Sequence, residues 1–147
     1  MDLEKELYMK FPAVLRDKLL NSELEFPSNT LFEYEKILTY RLVEREKDDN
    51  HSITNEDFKS YFELNKSPKV ARGIKKDFKS DPCYYGVSSF TDYAIAKQKT
   101  YFPRPGKKMA KGFVYSEGGP QYTKEKHVCW WLYANTKIKG FELMEDE

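Results

Sequence analysis

The stretch EKHVCWWLYAN, from Glu125 to Asn135, constrains the fold more than any other because it places both tryptophans of the chain side by side. In an extended strand, His127, Cys129, Trp131 and Tyr133 face one way while Val128, Trp130 and Leu132 face the other. Both faces are then mostly apolar, and a strand with no polar face belongs inside a sheet that is covered on both sides. Lys126 to Tyr133 is therefore expected to be a central strand with both indoles buried. A competing reading has Trp131 or Tyr133 lining a cleft and stacking on a planar ligand such as a nucleobase, with His127 beside it.

The rest of the chain supplies helices first and strands later. Asp2 to Leu20 carries Leu3, Leu7, Phe11, Val14 and Leu15 at steps of three and four, a helical spacing, and Pro12 either kinks that helix or opens a second one. From Leu31 to Glu46 strand formers dominate, with Leu38, Tyr40 and Leu42 expected on the core face and Thr39, Arg41 and Val43 on the opposite one. Thr54 and Asp57 have the reciprocal capping spacing, which predicts a helix from about Asn55 to Leu64. The basic stretch NKSPKVARGIKKDFKSDP, Asn65 to Pro82, shows no clean period and reads as a loop or an irregular crossover.

Cys83 to Phe90 then reads as a strand and Thr91 to Phe102 as a helix, with Ser89 and Asp92 at the Ser-x-x-Asp spacing of a capping box and Pro103 and Pro105 as the stop. Lys108 to Tyr115, Lys126 to Tyr133 and Ile138 to Leu143 read as further strands, with a turn from Ser116 to Gln121. The expected class is α+β: N-terminal helices followed by a mainly antiparallel sheet with an inserted helix, in a single domain of residues 1–147.

Several functional classes are disfavoured. No run approaches the roughly 18 apolar residues that would cross a bilayer. The acidic-amphipathic start MDLEKELYMKFPAV is unlike a secretory signal, so a cytoplasmic protein without a membrane partner is expected. Cys83 and Cys129 are too few for a disulfide framework and are expected as thiols. Together with His127 they offer ligand types that zinc prefers, but there is no C-x-x-C and a fourth ligand would have to be His51 or a carboxylate, so no metal is expected. YGVSSF lacks the second glycine of a G-x-S-x-G nucleophile elbow, and neither histidine has an orienting acid at a known spacing.

Charge points elsewhere. The chain carries a net charge of only +1, yet from Lys66 to Lys111 twelve Lys or Arg stand against Asp77, Asp81 and Asp92, a balance of +9 that leaves −8 for the remainder. Within this stretch Lys97 to Lys111 holds six cations, Lys107 and Lys108 among them, and no acid, with Tyr101 and Phe102 interleaved. Such a mix suits phosphate contact and base stacking. It suits an ordinary solvated loop as well.

An Arg on an early strand, a Ser-aromatic-Thr step into a helix and a late Glu form an order that resembles the Arg-Ser-Glu arrangement of ADP-ribosyltransferases. The matching positions are Arg41 in TYRLVE, Ser89 with Phe90 and Thr91 in SSFTD, and Glu125 in TKEKH, with Glu117 an alternative to Glu125. The resemblance implies NAD as cofactor. Arg41 would hold its phosphate, the Ser89 and Thr91 region would support the nicotinamide ribose, and Glu125 would stabilise the oxocarbenium-like centre or position the acceptor. Thr123 stands where many members of that family have Gln or Glu, which sets this chain apart from transfer to a protein acceptor.

Two functions follow as expectations. The first is a nucleotide-handling protein, with ADP-ribosyl transfer as its chemistry under the resemblance, using Arg41, Ser89 and Glu125, a ring from Tyr85, Trp131 or Tyr133, and an anionic small molecule as partner in preference to nucleic acid. The second is a noncatalytic module, such as a bacterial or phage accessory protein, that binds another protein through its charged surfaces. A pocket gathering Arg41, Ser89 and a glutamate would favour the first, and dispersal of these residues over a flat face the second.

Overall fold

A computed structural model describes residues 3–64 and 81–144. Most of the expected irregular segment, residues 65–80, lies outside the described residues. Two short helices open the fold, α1 (Leu3–Tyr8) and α2 (Ala13–Leu20), with Pro12 as the N-cap of the second. Proline has no N–H to lose at such a boundary, so the chain breaks there into two helices and does not bend one. Then come β1 (Ile37–Glu44), a one-turn α3 (Tyr61–Leu64), β2 (Val87–Phe90), α4 (Tyr93–Thr100), β3 (Lys107–Val114), β4 (Gln121–Lys124), β5 (His127–Trp130) and β6 (Glu142–Leu143).

The strands form one six-stranded antiparallel sheet in the order β4-β5-β2-β1-β3-β6, so the class is α+β. β5 lies between β4 and β2. The apolar character of both its faces is explained by a core on each side of the sheet. On one side Phe11, Leu15, Leu19 and Leu24 pack with Tyr85, Cys129 and Trp131; on the other Phe58, Val114 and Phe141 pack with Val87, Val128 and Trp130. Trp130 and Trp131 are 1% and 0% exposed, and their indole N–H groups donate to Gly119 O at 3.2 Å and Pro82 O at 2.8 Å. The ladder is shorter than the pattern suggests, ending at Trp130.

β1 corrects the face assignment. Thr39, Val43 and the following Arg45 are buried, whereas Leu38 is 40% exposed, so Arg41 lies on the closely packed face. The reason is internal pairing: Thr39 Oγ1 donates to Gly112 O at 3.2 Å, and Arg45 meets the Asp57 carboxylate at 2.6 and 2.8 Å. Polar side chains enter a core when their partners enter with them. Tyr40, on the other face, meets the Tyr93 ring of α4 at 5.5 Å.

Capping was partly legible. Thr54 and Asp57 do form the reciprocal box, yet it opens only a 3-10 turn, Asn55–Asp57. Ser60 and Glu63 repeat the exchange at the start of α3, with N–H···O distances of 3.1 and 3.2 Å. The Ser89–Asp92 box does not form. Ser89 belongs to β2, where it is 2% exposed, and Asp92 alone caps α4 through the Ile95 N–H at 3.0 Å. Pro82–Tyr85 is a 3-10 turn, so β2 starts only at Val87. No helix among the described residues is long and apolar enough to cross a membrane.

Candidate functional site

β1 follows β3 along its whole length, from Ile37 opposite Val114 to Glu44 opposite Lys107, but pairs with β2 only where Tyr40 meets Phe90. Beyond that point the two neighbours part. The opening is a cleft of about 750 Å³, reached by Arg41 from β1, Gly86 and Ser88 from the β2 side, Asp57, Lys59 and Tyr61 from the segment below, and Lys99, Tyr101 and Arg104 from the end of α4.

Arg41 bridges the parted strands. Its Nη1 donates to Ser88 O at 2.5 Å, its Nε to Asp57 O at 2.9 Å and its Nη2 to Lys59 O at 3.4 Å, while the guanidinium carbon lies 5.4 Å from the centre of the Phe58 ring. A guanidinium has five N–H donors. Two of them have no acceptor among the described residues. All three acceptors are neutral carbonyls, so burial lowers the Arg41 pKa to about 10, with Tyr61 and Asp57 acting in the opposite sense. The group remains cationic at neutral pH.

The other charges of the cleft sort themselves by partner. Six cations, Arg41, Arg45, Lys59, Lys99, Arg104 and Lys107, line it with three acids, Glu44, Glu56 and Asp57, which leaves +3. Arg45 is committed to Asp57, Lys107 to Glu44 at 3.1 Å and Lys59 to Glu56 at 3.7 Å. Among the described residues no carboxylate pairs with Arg41, Lys99 or Arg104. Burial raises the Asp57 carboxyl, but hydrogen bonds from Arg45 and the Thr54 amide and the charge of Arg45 outweigh it, holding the carboxyl below its ordinary range.

The expected site residues fall into separate places. Arg41 and Lys107 reach the cleft, but Lys107 sits in β3 and is ion-paired. Lys108, its neighbour, is 8% exposed and points away, donating to Asp49 O at 3.0 Å and Asn50 Oδ1 at 2.6 Å beside a second cavity of about 480 Å³. The two lysines do not act together on one anion, because strand alternation sends adjacent side chains to opposite faces. Ser89 is buried, with no hydrogen-bond partner for its hydroxyl among the described residues, and Glu125 is exposed in the β4–β5 turn with φ 50°. Neither lines the cleft with Arg41.

Tyr85 and Trp131 are core side chains, and Tyr133 packs on Phe11 at 5.2 Å under the Lys10 ammonium at 5.4 Å. Thr91 is tied by its N–H to Lys126 O at 2.9 Å. The rings that do reach the cleft are Tyr61, Phe90 and Tyr101, the last 70% exposed at the left-handed C-cap of α4. Tyr101, Lys99 and Arg104 belong to the basic aromatic segment already conspicuous in the sequence. Ser88 was missed: its hydroxyl lies 2.6 Å from His127 Nε2, a contact between strands that no sequence spacing encodes. Among the described residues no group of three His, Cys, Asp or Glu is arranged to hold a metal ion.

Comparison with known protein families, curated proteins and solved structures finds no match, so the cleft is interpreted on its own physical chemistry.

Proposed function

We propose that the protein binds a phosphate-bearing small molecule of the nucleotide class in the cleft between β1 and β2. The observation that carries this reading is Arg41, a half-buried cation held by carbonyl dipoles, with no carboxylate paired to it among the described residues and with donors to spare. Even a half-buried charge loses part of its hydration, and an incoming anion offsets that loss with charge-assisted hydrogen bonds. Lys99 and Arg104 add a field that draws anions to the mouth. Tyr101 or Tyr61 offers a face for a base.

NAD and ADP-ribose belong to this ligand class. Transfer of ADP-ribose would need Ser89 and Glu125 at the same centre as Arg41, and neither contributes to the cleft, so the reading rests on binding alone. It carries with it a cytoplasmic setting, where nucleotides are abundant and the free thiols of Cys83 and Cys129 stay reduced.

A thermal-shift panel of NAD, ADP-ribose, cyclic nucleotides and short single-stranded DNA and RNA tests the proposal. A ligand present at 100 times its dissociation constant adds about 2.7 kcal/mol. Replacing Lys99 and Arg104 together by Gln is then expected to weaken binding by up to about thirtyfold, at about 1 kcal/mol for each exposed charge, and to flatten its dependence on salt. An unchanged salt dependence would remove α4 from the site. No shift from any member of the panel would count against the cleft as a nucleotide site.

A further inference from the structure

Ser88 and His127 meet inside the sheet as a hydroxyl and an imidazole. β2 and β5 are antiparallel with Ser88 opposite Cys129 and Phe90 opposite His127, so Ser88 and His127 are diagonal neighbours on one face. Ser88 Oγ lies 2.6 Å from His127 Nε2, within reach for proton transfer. Phe90 covers the imidazole from one side, with ring centres 5.3 Å apart. Such a contact is commonly no more than two half-buried polar groups satisfying each other. Here a second observation sets it apart: Ser88 lines the cleft, and its own carbonyl holds the Arg41 guanidinium.

We propose that Ser88 is a nucleophile and His127 its general base, acting on a carboxylic ester whose acid or alcohol half carries a phosphate seated on the cations of the cleft. The substrate class rests on the phosphate-binding reading given above; the dyad rests on the contact between Ser88 and His127. With Nδ1 protonated, Nε2 accepts from the hydroxyl. Burial holds the imidazole below its ordinary pKa against the opposing pull of Asp81, which leaves it neutral and able to take the proton.

The step balances with water as the only co-reactant. Ser88 Oγ bonds to the ester carbonyl carbon as its proton passes to His127 Nε2. The carbonyl π electrons move to oxygen as the tetrahedral intermediate forms. Collapse re-forms the carbonyl and breaks the carbon–oxygen bond to the alcohol, which leaves with the proton from His127. Water then attacks the acyl-Ser88 with His127 again as base, releasing the acid and restoring the hydroxyl.

The test is covalent labelling of the full chain with a serine-directed fluorophosphonate, read by intact mass and peptide mapping on the wild-type protein. A single adduct on Ser88 is expected, with Ser88→Ala unlabelled and His127→Gln labelled at least about a hundredfold more slowly, the usual scale of general-base assistance. No adduct on Ser88, or equal labelling of His127→Gln, would overturn the proposal. Mapping the wild-type site keeps the result decisive even if a variant fails to fold. Labelling of Ser88 with no response to any phosphate-bearing ligand would support the dyad and discard the phosphate-binding reading. Ligand binding without labelling would do the reverse.

Discussion

Trp130→Ala is expected to lower the stability of the fold by about 3–5 kcal/mol, the range for deleting a fully buried large aromatic. The indole is 1% exposed and stands at the centre of its core, with the rings of Tyr115, Phe58 and Phe141 at 5.2, 6.2 and 6.3 Å. Its N–H donates to Gly119 O, which also accepts from the Tyr34 hydroxyl at 2.7 Å. Gly119 approaches the backbone of Trp131 so closely that, at φ 147°, a Cβ there would lie 1.8 Å from Trp131 O, so no side chain could stand at that position. Urea unfolding of the variant measures the loss; a cost under about 1 kcal/mol would show that this core collapses freely.

Breaking the pair between Arg45 and Asp57 is expected to cost a similar amount, about 3–5 kcal/mol for Arg45→Ala, because the largely buried Asp57 carboxylate would lose its ion-pair partner. The side chains are 2% and 8% exposed, and both guanidinium nitrogens reach the carboxylate. Arg45 also donates to the carbonyls of Glu44, His51 and Ser52, at 2.7, 3.3 and 3.2 Å, and so clips the segment after β1 back onto the sheet. Its loss would reach the cleft as well, since Asp57 O is one of the acceptors that hold Arg41.

The pair also sets an acid limit. Asp57 titrates in the folded protein below its ordinary value of 3.8. The folded state then binds fewer protons than the unfolded state in that window. Stability from the pair is therefore complete above the ordinary value and lost as pH falls through the lower folded one. Asp57→Asn should be less stable at neutral pH and show a shallower loss on acidification. An unchanged acid limb would place the titration elsewhere.

Why some of this was legible in the sequence and some was not follows from where each signal resides. The buried tryptophans could be anticipated because an apolar strand on both faces admits one environment. Thr54 and Asp57 announced a cap because the exchange is local. The core face of β1 misled because hydropathy records the polarity of Thr39 and Arg45 and not the partners that Gly112 and Asp57 bring to them. Ser88 and Ser89 differ by one step of a strand, which alone decides that one lines the cleft and the other is enclosed. Arg41 was singled out from the sequence, but its setting was not legible there, since the neutral carbonyls that hold it leave no mark on side-chain identity.

The most direct test of the cleft is calorimetry with ADP-ribose, or with whichever panel member gives the largest thermal shift, on wild type, Arg41→Lys and Arg41→Ala. A charge-assisted hydrogen-bonding group is worth about 1.5–3 kcal/mol, so Arg41→Ala should bind between about tenfold and a hundredfold more weakly. Arg41→Lys should fall between, having the charge without the planar fork. Both variants must first unfold cooperatively, since Arg41 also joins β1 to β2. Wild-type affinity in a folded Arg41→Ala protein would contradict the assignment of this cleft as an anion site.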